Sequence, residues 1–172
     1  MTREDQLIKQ CKAGDAAALD ELVRRYYPDI LRYCVWHTPD RHSAEDAAQE
    51  TFVKLIRHLQ GYTHRGQFRA FLYRIAANTC VDMQRKTAAM PLPDGLTVTE
   101  DGYGRAESDA DLQRMVAALP PEQRELILLR FAQQLTLREI AEITGLPLRT
   151  VQSRLRAALK KLKSTLSEGE WE

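Results

Sequence analysis

Apolar residues recur at helical spacing along most of the chain, and no stretch shows the strict alternation of a half-buried strand. Leu7, Ile8 and Cys11 begin the pattern, and Leu19, Leu22, Val23 and Tyr26 continue it. After "TPDRH", Ser43 is placed to cap a new helix, with Asp46 three residues later as a weak capping box. That helix is predicted to run through "AEDAAQETFVKLIRHL" and to stop at Gly61. A loop, "GYTHRGQ", separates it from the next helix, "FRAFLYRIAANTCVDMQRK".

The periodicity then breaks. Residues 88–110 carry Pro91, Pro93, Gly95, Gly102 and Gly104 among acids, which predicts a flexible linker. Helical spacing resumes from Asp111 with Leu112, Met115, Val116 and Leu119, and Pro120 stops it. Pro121 suits the first turn of a following helix, "PEQRELILLRFA". Next, Thr136 and Glu139 form a T-x-x-E capping box ahead of Ile140, Ala141 and Ile143. Gly145 fits the left-handed residue that closes a helix, and Pro147 falls near the start of another. In that last helix Val151, Leu155, Leu159 and Leu162 are spaced to face a core. The expectation is an all-α chain of two small helical domains, residues 1–87 and 111–172, joined by the linker 88–110. The second domain holds a helix-turn-helix.

Composition narrows the function. The chain has 172 residues, 44% of them hydrophobic and 28% charged, which is ordinary for a folded soluble protein. No apolar run approaches the roughly 20 residues of a membrane helix, and "MTREDQLIKQ" lacks the apolar core of a secretory signal. Cys11, Cys34 and Cys80 are scattered and odd in number, as expected of free thiols in a cytoplasmic protein.

A formal net charge of +1 conceals an asymmetry. The linker sets one arginine against Asp94, Glu100, Asp101, Glu107 and Asp109, whereas residues 147–163 carry three arginines and three lysines with no acid. A basic helix behind a capped turn suits DNA. Arginine pairs with guanine and glutamine with adenine, while serine and lysine suit phosphate oxygens. Arg149, Thr150, Gln152, Ser153, Arg154, Arg156 and Lys160 are the candidate contacts.

Catalytic and metal chemistry find little support. Cys34, His37 and His42 follow a C-x2-H-x4-H spacing but lack a fourth ligand. There is no phosphate-binding glycine loop, nucleophile elbow or convergent carboxylate pair. The expectation is a chain without catalytic residues, metal, cofactor or small-molecule substrate.

Two blocks, taken together, resemble a bacterial RNA polymerase sigma factor of the extracytoplasmic-function (ECF) type. "DRHSAEDAAQETFVKLIRHLQGYTHRGQFRAFLYRIAANTCVDMQRK" is similar to the family's region 2, and "LPPEQRELILLRFAQQLTLREIAEITGLPLRTVQSRLRAALKKLK" to its region 4. The resemblance implies that the first domain docks on the β′ clamp helices of core polymerase, through Asp46, Gln49, Glu50 and Val53, with Val53 lying beside Phe52 and Leu55 nearer the domain core. It implies that "GYTHRGQ" captures a base flipped from the −10 element, through Tyr62, Thr63, His64, Arg65 and Gln67. Extruding a base requires a pocket with hydrogen-bonding edges and a stacking surface. The next helix, with Arg69, Tyr73, Arg74, Asn78 and Arg85 on exposed turns, would follow the promoter; Arg74 and Asn78 join the −10 set. Phe71 stands where the family commonly has tryptophan, and a core role is expected of it. Region 4 would read the −35 element and meet the polymerase β flap, but Ala157 replaces a common arginine, so the base preference does not transfer. An anti-sigma protein is a further implied partner, one that would hold the chain at the inner face of the membrane. A stand-alone helix-turn-helix regulator and a nucleic-acid-modifying enzyme are the alternatives; the first has no need of "DAAQETF" before a base-capture loop, and the second needs an active site.

Overall fold

In a computed structural model, residues 1–89 and 114–169 are described. The chain divides into two compact units, Met1–Thr99 and Glu100–Glu172. Every regular element among the described residues is helical. Residues 90–110 of the expected linker lie outside the described residues.

The first unit holds α1 (Arg3–Lys12), α2 (Ala16–His37), α3 (Arg41–Leu59) and α4 (Phe68–Ala89). A capping box opens α1: Asp5 N–H donates to Thr2 Oγ1 at 3.1 Å, and the Asp5 carboxylate accepts the Thr2 N–H. Asp15 caps α2 by accepting from the N–H groups of Ala17 and Ala18. Helix α3 begins earlier than expected. Its cap is Asp40, whose Oδ1 accepts the Ser43 N–H at 2.8 Å, so Ser43 lies inside the first turn. Asp40 and Ser43 are equally good caps by residue type; Asp40 is the one with extended backbone, at φ −148° and ψ 169°. The far end of α4 also corrects a boundary, since residues 88 and 89 are helical rather than linker.

Helix α2 packs on α1, α3 and α4, and α3 packs on α4. Ala44, Ala47 and Ala48 are fully buried on α3, and Leu22 and Ile30 on α2. Alanine leaves little between helix backbones, so neighbours approach closely and the larger side chains Leu55, Phe68 and Leu72 fill the remaining space. Each fully buried leucine or isoleucine contributes about 1.5–3 kcal/mol. Two buried threonines need no partner from elsewhere: Thr51 and Thr79 donate to the carbonyls of Ala47 and Ile75.

The second unit starts, in its described part, with helical residues 114–117. Then come α5 (Pro121–Ile127), a π-helical turn (Leu128–Ala132), α6 (Leu137–Thr144) and α7 (Leu148–Gly169). Pro121 stands at the first turn of α5, as expected. The Arg124 guanidinium gathers the carbonyls of Val116, Ala117 and Leu119, closing the end of the preceding helix. Sequence spacing predicts plain helix through residue 132, whereas the ladder widens there and Gln133 N–H reaches back to Leu128 O at 3.0 Å. Leu126, Ile127, Leu128 and Leu129 are all buried, so this segment is covered from more than one side.

The helix-turn-helix forms as the residues dictate. The Thr136–Glu139 capping box is complete, with bonds of 3.2 and 2.7 Å. Gly145 has φ +72°, and its N–H closes on Ala141 O at 2.9 Å. The Pro147 carbonyl accepts the N–H groups of Thr150 and Val151, the first hydrogen bonds of α7. Val151 and Leu155 are buried, but Leu159 is 44% exposed, Leu162 is half-buried, and Ala158 takes the expected core position. The cause is geometric. Each four-residue step overshoots a full turn by about 40°, so two steps rotate Leu159 about 80° from Val151, while seven residues fall only about 20° short.

The α3 cap yields a direct test. Asp40→Ala should lower the unfolding free energy of the chain by about 1 kcal/mol in denaturant titration, and Ser43→Ala should change it by less than about 0.5 kcal/mol.

Candidate functional site

Three surfaces gather the residues singled out above. The first is the outer face of α3. Phe52, Leu55 and Leu59 are buried, and Asp46, Gln49, Val53 and Ile56 follow one another outward at steps of three, four and three. Val53 is 41% exposed, which corrects its expected place beside Phe52 and Leu55: one residue is about 100° of rotation. Ile56, 48% exposed, escaped the sequence reading because an apolar residue in a helical pattern is assigned to the core by default. Glu50 is half-buried at the edge of the stripe, and Asp46 lies 3.5 Å from His42. Two branched aliphatics flanked by an amide and carboxylates make a surface suited to a protein partner.

The second surface is the loop between α3 and α4 with the outer turns of α4. Tyr62 lies flat against Phe71, centroids 4.3 Å apart and planes 18° apart, and meets Phe68 edge-on at 5.8 Å. Phe71 is half-buried, so its expected core role becomes that of the platform under Tyr62. Burial, followed by the charge of Glu4, pushes the Tyr62 phenol up to about 12, so it remains a hydrogen-bond donor at neutral pH. Its hydroxyl lies 3.1 Å from His64 Nδ1, and His64 Nε2 lies 2.6 Å from Asp5 Oδ1. Thr63, Arg65 and Gln67 are exposed. On α4, Arg74, Asn78 and Arg85 are exposed and Arg69 is half-buried. Tyr73 is fully buried, against the expectation that it lies on an exposed turn. Its ring stands edge-on to Tyr33 at 5.6 Å, in register with the buried Leu72, Ile75 and Ala76.

The third surface is α7. Relative to Arg149, Gln152, Ser153, Arg156 and Lys160 all fall within about 60° of one line, opposite Val151, Leu155 and Ala158. All five are exposed. Thr150 is half-buried at the margin. Arg154 turns about 140° away and lies 3.9 Å from Glu122 Oε2 on α5, an exposed pair of small energetic weight. The predicted set therefore splits into a coherent face, Thr150 at its margin, and one arginine directed toward α5. Ser153 donates its hydroxyl proton to Thr150 O and keeps its oxygen as an acceptor.

These surfaces fall within two matched blocks. Residues 22–89 match the model of Sigma-70 region 2, and residues 109–162 that of Sigma-70 region 4. The ECF RNA polymerase sigma factor SigW of Bacillus subtilis is 30% identical over 94% of this chain and 95% of its own. The chain belongs to the ECF sigma factors. Among solved structures, CnrH in complex with the cytosolic domain of CnrY shares the fold at a TM-score of 0.73, with 24% identity over 94% of this chain and 96% of that one. The sigma factor RpoE of Bartonella quintana, in complex with the anti-sigma factor NepR, aligns at a TM-score of 0.68 and 21% identity, over 86% of this chain and 96% of that one.

In the sigma factor Cys11, Cys34 and Cys80 are buried and form no disulfide. Cys34 and Cys80 face each other at 3.8 Å, and that contact, followed by burial, drives the Cys34 thiol far above its ordinary range. The Cys34 thiol is therefore protonated at neutral pH. Among the described residues no cluster of three or more His, Cys, Asp or Glu side chains is placed to hold a metal, and no helix is long and apolar enough to cross a membrane.

Asp5 carries a pH signature. Hydrogen bonds from the Thr2 backbone, the Thr2 side chain and His64, in that order, hold its carboxyl below the ordinary carboxylate range. A lowered folded-state value stabilises the fold above the unfolded value, near pH 4, and the contribution fades as pH falls through the folded one. The stability difference between wild type and Asp5→Asn should be constant above about pH 5 and shrink below about pH 4 in pH-dependent denaturation.

Proposed function

We propose that this sigma factor divides promoter recognition between its two units. The outer stripe of α3 docks on the β′ clamp helices of core RNA polymerase. The 62–67 loop and the outer turns of α4 engage the −10 element and its flipped base. The exposed face of α7 reads the −35 element in the major groove, and the second unit meets the β flap. The observation that carries the reading is the order of the two matched blocks, region 2 at residues 22–89 and region 4 at 109–162, each holding its own outward-facing polar surface. The reading makes the chain an initiation factor, with the chemistry left to the polymerase. It acts in the cytoplasm, and the complex of the fold neighbour RpoE with NepR supports an anti-sigma protein as its regulator.

Run-off transcription from a promoter library tests this, with purified core polymerase and with or without the chain. New start sites that depend on the chain are expected, and their absence would sink the assignment. Docking is tested by Gln49→Ala combined with Glu50→Ala: core binding should weaken about tenfold or more, with thermal unfolding unchanged. On α7, Arg149→Ala and Arg156→Ala should each weaken binding of the selected −35 duplex by about 5- to 150-fold if they pair with bases. Arg154→Ala should have a much smaller effect on the same duplex. Equal losses for all three arginines would mean that α7 contacts only backbone phosphates.

A further inference from the structure

The 62–67 loop is tied at two points to α1, a helix about fifty residues away in sequence and outside the matched region 2 block. Lys12 Nζ donates to the Tyr62 carbonyl at 2.7 Å, and Gln60 Nε2 donates to the Lys12 carbonyl at 2.8 Å, so this end of the loop is fastened in both directions. At the tip, His64 bridges Asp5 and Tyr62. With a proton on Nε2, His64 donates to Asp5 Oδ1, and its Nδ1 meets the Tyr62 hydroxyl. Only 18% of the His64 side chain is exposed, unlike its neighbours Thr63 and Arg65.

The acids at the start of α1 are both held in hydrogen bonds. Asp5 spends its two oxygens on the Thr2 N–H and on His64. Glu4 accepts the Tyr26 hydroxyl. The same carboxylate that caps α1 thus sets the loop, and the start of α1 and the loop's shape are one geometric unit.

We propose that α1 is a positioning element for base capture: Asp5, through His64 and Tyr62, holds the loop in the shape that presents Thr63, Arg65 and Gln67 to the extruded base. Asp5 and His64 are positioning residues that do not contact DNA. The inference rests on the reading of this loop as the base-capture site. A loop ordered before DNA arrives spares the binding step the entropy of ordering it, so loosening it weakens strand capture more than any other step.

The test is a double-mutant cycle on the full chain bound to core polymerase, at a promoter recovered from the run-off library. Open-complex formation is read by the fluorescence of 2-aminopurine in the nontemplate −10 strand. Asp5→Asn and His64→Ala should each reduce opening by about tenfold, and the double variant should be no worse than either. Core affinity and binding to the duplex −35 element should stay at wild-type values. Multiplying losses in the double variant would overturn the proposal, because His64 would then act on DNA by itself. So would a fall in core affinity in step with opening, the mark of a merely structural role. The underlying reading has its own control: if Thr63→Ala, Arg65→Ala and Gln67→Ala together leave opening intact, the loop does not capture a base at all.

Discussion

Helices α3 and α7 are each gripped along one side, and that grip determines what they offer on the other. On α3 the buried side consists of Ala44, Ala47, Ala48, Phe52, Leu55 and Leu59; on α7 it is Val151, Leu155 and Ala158. A helix has only one degree of freedom about its axis, so burying these residues fixes the direction of every other side chain. Gln49, Val53 and Ile56 must face outward together, and so must Arg149, Gln152, Ser153 and Arg156. Small residues take part in both grips, and they set close axial approach and hence a defined rotation. Outward surfaces built this way owe their orientation to the buried side rather than to their own hydrogen bonds, of which Ser153 to Thr150 O is a local one.

Electrostatics explains why neither unit suffices alone in the proposed division. The chain as a whole carries a formal charge of +1, and residues 147–163 hold six cations with no acid among them. Affinity for duplex DNA scales with the number of phosphates neutralised and falls steeply with salt, so a patch of about five or six charges binds weakly at physiological ionic strength. Two weak contacts made by one assembly act together through effective concentration. In that division a weak solitary affinity would also keep the factor off promoters until polymerase is present, so modest charge would serve specificity as much as it limits strength.

Much of this was legible in the sequence because the signals are local. The Thr136–Glu139 box, the left-handed Gly145 and the break at Pro120–Pro121 each act within a few residues, and each stands where spacing placed it. The errors share a cause. Periodicity places Leu159 and the family resemblance places Val53 and Tyr73; neither resolves rotation about the helix axis, and about 80–100° separates a core residue from a surface one. Asp40 displaced Ser43 as a cap because both residues qualify by type and only backbone conformation decides. The π-helical turn at Leu128–Ala132 and the Asp5–His64 contact leave no local trace, since one depends on packing from several sides and the other joins residues 59 apart.

The two proposed nucleic-acid surfaces also differ in how they reach the same end. Duplex DNA presents a groove of regular shape, and a helix such as α7, rigid and gripped from behind, matches it with side chains at fixed spacing. An extruded base has no such regularity and needs a concave site, which a straight helix does not provide. A loop supplies the concavity but brings conformational freedom with it. Here that freedom is removed by the stack of Tyr62 on Phe71, by the clasp of Lys12 on the Tyr62 carbonyl and by the His64 bridge to Asp5. The three restraints act on different atoms of two residues, so none is redundant: the stack fixes the plane of the Tyr62 ring, the clasp fixes the backbone below it, and the bridge fixes the tip. The exposed residues between and beside these anchors, Thr63, Arg65 and Gln67, inherit their positions from helices on either side of the loop and from α1.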